Sequence, residues 1–100
     1  MTLVMQNTAA APVLPVTVRI LREGEAFIAH ATELDVSSHG RSVDDASRHL
    51  REALAAFLDE ATRLGTLEDI LQEAGYVRTP DGWSPPTVIA QDRVLVPLPS

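Results

Sequence analysis

The chain contains no cysteine, which excludes disulfides, thiolate zinc sites, cysteine-ligated iron–sulfur clusters and a thiol nucleophile. It contains no lysine either: all eight basic residues are arginines. Schiff-base chemistry, anchoring of pyridoxal phosphate and the lysine of a P-loop are thereby removed. The five glycines, Gly24, Gly40, Gly65, Gly75 and Gly82, stand singly, so no glycine-rich loop can cradle a phosphate. Each reads as a turn or cap residue. No apolar run is long enough to span a membrane.

What is present is one domain's worth of chain. One hundred residues, 45% of them apolar, with a mean hydropathy of +0.04, are enough for a compact core and too few for a second domain. Eight basic against fourteen acidic residues give net charge −6 and a pI near 4.8. This balance repels phosphate backbones and favours a basic partner.

Residues 1–15 combine the Ala9-Ala10-Ala11 run with two prolines and lack the cationic start and apolar block of a secretory signal. They read as a flexible leader, with Leu3 to Met5 as an alternative short edge strand, and the protein is expected to be cytoplasmic. Residues 16–100 form the domain. Val16, Val18 and Ile20 alternate with Thr17, Arg19 and Leu21, the period of a half-buried strand. Glu23-Gly24-Glu25 makes a turn, Ala26 to Thr32 the returning strand, and Leu34 to His39 a third strand ended by Gly40.

Ser42-Val43-Asp44-Asp45 is a helix start, with the Ser42 hydroxyl placed to accept from the Asp45 amide and two aspartates at the positive end of the helix dipole. Val43, Ala46, Leu50, Ala53, Leu54, Phe57, Ala61 and Leu64 follow at steps of three and four, one apolar stripe ended by Gly65. Asp44 with Arg48 and Asp59 with Arg63 have the spacing of solvated i, i+4 pairs. Thr66 repeats the cap logic for a short second helix carrying Ile70, Leu71 and Ala74, which stops at Gly75. Tyr76 to Ser84, around Thr79-Pro80-Asp81-Gly82, reads as a small hairpin or ordered loop. Thr87 to Ala90 and Arg93 to Leu98 are strand-like, with Pro97 and Pro99 confining the last strand to an edge or cutting it short.

No catalytic, cofactor or metal set emerges. His30, His39 and His49 lie nine and ten residues apart, outside the short metal spacings, although His30 and His39 could approach each other across strands. Asp44 and Asp45 point about 100° apart on a helix, and their capping role explains them. Ser37-Ser38-His39 lacks a nucleophile elbow and an identifiable orienting carboxylate. Trp83 beside Pro85-Pro86, with Tyr76 nearby, is either an aromatic binding surface or packed in the core or an interface.

The run Phe27-Ile28-Ala29-His30-Ala31-Thr32-Glu33-Leu34, then Val36 to Ala46, then His49-Leu50-Arg51-Glu52-Ala53-Leu54, resembles the HicB antitoxin family in the order and spacing of its pieces, and continues loosely through Thr66 to Gly75. The resemblance implies an α+β fold: a three-stranded antiparallel meander packed on a long helix, a short second helix and a C-terminal strand, a truncated ribonuclease H-like layer. It also implies a partner, a small basic mRNA-cleaving toxin of the HicA type. Leu34-Asp35-Val36 replaces the family's proline-rich turn between strands two and three. The C-terminal DNA-binding module is missing, so no direct DNA binding is expected. Nuclease activity is not expected, because Val16 to Leu21 carries no carboxylate for a two-metal site. The leading expectation is thus a non-enzymatic, cytoplasmic, toxin-inhibiting protein, homodimeric or of higher order, without membrane association. The alternative is an orphan domain of the same fold serving as an oligomeric scaffold or small-ligand binder, with Leu58 a surplus apolar position available for self-association.

Overall fold

The computed structural model describes residues 13–100. The suggested Leu3 to Met5 strand and most of the leader lie outside them. The order is β1 (Val18–Glu23), β2 (Ala26–Ala31), β3 (Val36–Gly40), α1 (Val43–Leu64), α2 (Leu67–Glu73), β4 (Val77–Thr79) and β5 (Gly82–Ser84). The class is α+β, as the sequence predicts. β1, β2 and β3 form an antiparallel meander with β2 central, and β4 pairs with β5 in a separate hairpin.

The β1–β2 turn is a two-residue loop closed by Glu23 and Ala26. Gly24 has φ 63° while Glu25 stays at negative φ, the pattern of a II′ turn with glycine at its first central position. Between β2 and β3 the chain turns at Asp35, whose φ of 55° makes it the single non-glycine residue in the left-handed region among those described. The Asp35 amide donates to the Ala31 carbonyl at 2.8 Å. The expected strand limits therefore move: β1 starts at Val18 rather than Val16, and β3 at Val36 rather than Leu34, because Thr32 to Asp35 are consumed by this turn.

α1 spans 22 residues. Ser42 caps it, its side chain accepting from the Asp45 amide at 3.0 Å, and Gly65 ends it at φ 75°. Along the predicted stripe Ala46, Leu50 and Ala61 are buried and Ala53, Leu54 and Phe57 half-buried, whereas the end members Val43 and Leu64 are exposed. The helix lies on β3 and β2 and scarcely reaches β1. Ala29, Ala31, Ala46 and Leu50 form the core, flanked by Val16, Phe27, Val36 and Leu54. Three small core side chains bring the helix close to the sheet. Gly40 belongs to the same contact: a Cβ there would come within 2.7 Å of Asp45, so the strand end must be bare where the first turn of α1 crosses it. Its role is close approach rather than the turn the sequence predicts.

Other local expectations are corrected. Arg48 pairs with Asp45 at 3.0 Å and Glu52 at 3.6 Å, not with Asp44, and Arg63 pairs with Glu60, not with Asp59. Thr66 stands at the N-cap of α2 but makes no side-chain cap bond; its hydroxyl turns back to the Ala61 carbonyl at 3.4 Å. Thr87 to Ala90 and Arg93 to Leu98 form no strand, and the C-terminal strands of the fold are β4 and β5. The physical reason is the lack of a ladder: Pro85 and Pro86 hold the chain extended, and among the described residues the backbone groups of these runs pair with no strand. The last leader residues, by contrast, are held. Val13 bridges to Gly82, and the Pro15 carbonyl accepts from the Tyr76 hydroxyl at 2.7 Å.

Candidate interaction surface

The charge is unevenly placed. The segment from Val43 to Ala74, which holds both helices, carries eight carboxylates and three arginines, so it accounts for −5 of the chain's −6. Within it, Asp45, Glu52, Glu60 and Glu68 are engaged by Arg48, Arg63 and Arg78. Asp44, Asp59, Asp69 and Glu73 are exposed and, among the described residues, form no ion pair. Exposed pairs of this kind are each worth at most about 1 kcal/mol. The acidic field of the helical layer is thus largely directed at solvent.

Asp45 shows how local hydrogen bonding tunes one of these groups. The bond from Arg48 holds its carboxyl below the usual range, against a smaller opposing effect of burial. On the sheet side, burial pushes Glu33 upward. Bonds from Thr17 and Thr32 more than offset it, leaving the carboxyl lowered. Its Oε1 accepts from the Thr17 amide at 2.8 Å and the Thr32 hydroxyl at 3.2 Å. Glu33 thereby ties the entry of β1 to the exit of β2, a role with no sequence signal beyond its place after the second strand.

The histidines divide into two structural roles. His49 Nδ1 donates to the His39 carbonyl at 2.6 Å, pinning α1 to the end of β3 and fixing the proton on Nδ1. His30 Nε2 donates to Asp35 Oδ1 at 2.8 Å. The β2–β3 register sets Ser37 opposite His30 and His39 opposite Ile28. His30, Ser37 and His39 therefore share the sheet face turned away from α1. A carboxylate–histidine pair with a serine across the ladder is the arrangement that Ser37-Ser38-His39 does not disclose, because its members come from two strands and a turn. It lacks the nucleophile's link: among the described residues, Ser37 makes no hydrogen bond to the imidazole. β1 does end in a carboxylate, Glu23, two residues beyond the stretch read from sequence, but no group of three or more His, Asp or Glu among the described residues is placed to hold a metal.

The two aromatics differ in burial. Tyr76 is buried, and burial together with the nearby Glu33 charge pushes its hydroxyl up to about 12. Trp83 is half-buried, with the Arg78 guanidinium 5.2 Å from its ring centroid and Arg78 bonded to Glu68 at 2.9 Å. Trp83 lines a cavity of about 250 Å³ with Val13, Leu14, Leu58, Leu67 and Leu71. That is smaller than the roughly 300–1,000 Å³ usual for ligand sites. Leu58 is half-buried and borders this cavity. Among the described residues no helix is long and apolar enough to cross a membrane.

No family model, curated protein or solved structure matches this chain.

Proposed function

We propose that this chain is a HicB-like antitoxin that binds and inhibits a small basic mRNA-cleaving toxin of the HicA type, without chemistry of its own. The observation that carries the reading is the concentration of net charge −5 on the exposed helical layer. Such a surface attracts a cationic protein over a Debye length and orients it before contact, which raises the association rate more than the final affinity. The motif run from Phe27 to Leu54 supports the choice of family. Its pieces fall on β2, β3 and the first half of α1, the elements that build the core.

The test uses the full chain and a small basic ribonuclease of the HicA type, sought in the neighbouring reading frame. The expected outcome is a defined complex on size exclusion and suppression of RNA cleavage at stoichiometric chain, with an association rate that falls as salt rises. Replacing Asp59→Asn, Asp69→Asn and Glu73→Gln together should slow association about tenfold at low salt while leaving the fold intact. Cleavage unaffected by excess chain would reject the inhibitor reading, and inhibition with a salt-independent rate would reject the acidic layer as its basis.

A further inference from the structure

The part of the molecule that function and fold leave unused is the tail after β5. Val88, Ile89, Val94, Leu95, Val96 and Leu98 are all 72–90% exposed. Among the described residues the tail's one hydrogen bond within 3.5 Å is local, from the Arg93 amide to Asp92. The molecule is elongated, 62 Å along its longest axis, with a radius of gyration of 17.1 Å against about 13 Å for a compact chain of this length. Its first part, Pro86 to Gln91, forms one wall of an open groove of about 530 Å³ against Thr17 and Arg19. The tail therefore leaves the body beside the start of β1.

β1 is the complementary feature. It pairs with β2 on one side only, and all six of its residues are exposed. Since the Thr17 carbonyl accepts from the Thr32 amide, alternation along the ladder turns the backbone groups of Val18, Ile20 and Arg22 outward, away from β2. Val18 and Ile20, 43% and 38% exposed, sit on the face that α1 only partly covers. The tail offers what this edge lacks. Pro97 and Pro99 have no N–H and, two residues apart, remove donors from the same side of an extended chain. Val94, Val96 and Leu98 keep theirs on the other side. The residues before the prolines, Val96 and Leu98, are biased to extended backbone.

We propose that Val94 to Leu98 of one copy adds as an edge strand to β1 of a second copy, reciprocally, making a twofold dimer by strand exchange. A second copy is the fitting occupant on charge as well as shape. Asp92 and Arg93 cancel within the tail, and β1 carries Arg19 and Arg22 against Glu23, so neither surface repels the other. The two helical layers, each strongly acidic, would repel, which leaves the sheet edge as the place where copies meet. A tail of about fourteen residues and the strand it covers reach the lower end of the 20–30 residues per side of a standard interface. Exchange of an element between identical chains is a low-cost route to such a pair. This association stands apart from toxin inhibition, and a chain that inhibited no ribonuclease would still dimerise.

Sedimentation of the full chain from low micromolar to several hundred micromolar, with amide hydrogen exchange at both ends of that range, tests it. The expected result is a reversible dimer in which the amides of Val94, Val96, Leu98, Val18, Ile20 and Arg22 slow together as concentration rises. Val96→Pro removes a donor on the pairing side and should raise the dissociation constant about tenfold or more, whereas Leu95→Pro, on the outer side, should change it less than about threefold. Monomer throughout, a dimer whose tail amides exchange freely, a dimer indifferent to Val96→Pro, or tail protection in a monomer would each overturn the proposal, the last by showing that the chain covers its own edge.

Discussion

The stretch from Val16 to Leu64 and the stretch from Pro85 to Ser100 are both rich in aliphatic side chains, yet one is the core of the molecule and the other projects into solvent. In the first, each apolar run finds a neighbour that takes its backbone groups: β2 lies between β1 and β3, and α1 satisfies itself internally while pressing Ala46 and Leu50 onto Ala29 and Ala31. In the second, Val88, Ile89 and Val94 to Val96 are as apolar as anything in the body, but among the described residues no ladder takes up their backbone groups. Apolar content alone does not decide burial. A place for the N–H and C=O groups does.

The sharpest way to break this contrast is at Leu50, 1% exposed beneath α1. Leu50→Ala should cost about 2–5 kcal/mol in denaturant unfolding of the chain, and a loss below 1 kcal/mol would mean the body is packed as loosely as the tail. Gly40→Ala comes next, at about 1–3 kcal/mol, because the added methyl must push α1 off the strand. A crystal structure of that variant should show the first turn of the helix displaced.

Tyr76→Phe tests the leader's attachment. Removing the hydroxyl that donates to Pro15 should cost about 0.5–1.5 kcal/mol. The same hydroxyl sets an alkaline limb. Its folded value, about 12, lies above the ordinary 10.0, so the neutral form is favoured by folding. Its stabilising contribution is complete below pH 10 and declines as pH rises toward 12, while the phenylalanine variant loses that part of the slope. Glu33 has the opposite sense. Its lowered value gives a contribution present above the ordinary 4.5 and lost in acid as pH falls through the folded value, and Glu33→Gln should flatten that limb. The smallest effect is expected in the tail. Leu95→Ala, measured on protein dilute enough to be monomeric, should shift stability by less than about 0.5 kcal/mol, and a loss comparable to that at Leu50 would place the tail against its own body.

The same contrast explains what the sequence could disclose. α1 was legible from Ser42 to Gly65 because its cap, its stripe and its left-handed terminus are all local signals that agree. The meander was legible in order but not in limits, since the Asp35 turn depends on a left-handed aspartate that no residue pattern announces. The tail misled because alternation and apolarity measure what a strand would bury, not whether a partner strand is beside it. Among the candidate residues, the cap role of Ser42 was readable. The His49 bond to the His39 carbonyl and the His30–Asp35 pair were not, because they join residues that come together only once the helix and turn are in place. The Arg48 and Arg63 pairings missed by one residue, since i, i+3 and i, i+4 neighbours lie equally near on a helix surface.

The prolines at 97 and 99 also bear on colloidal behaviour. A segment that can pair on one flank and lacks two successive donors on the other, at Pro97 and Pro99, makes a poor template for a further strand, so growth by successive addition of chains is disfavoured. Replacing both prolines with valine would restore the missing flank and convert a self-limiting contact into one open to fibrous stacking.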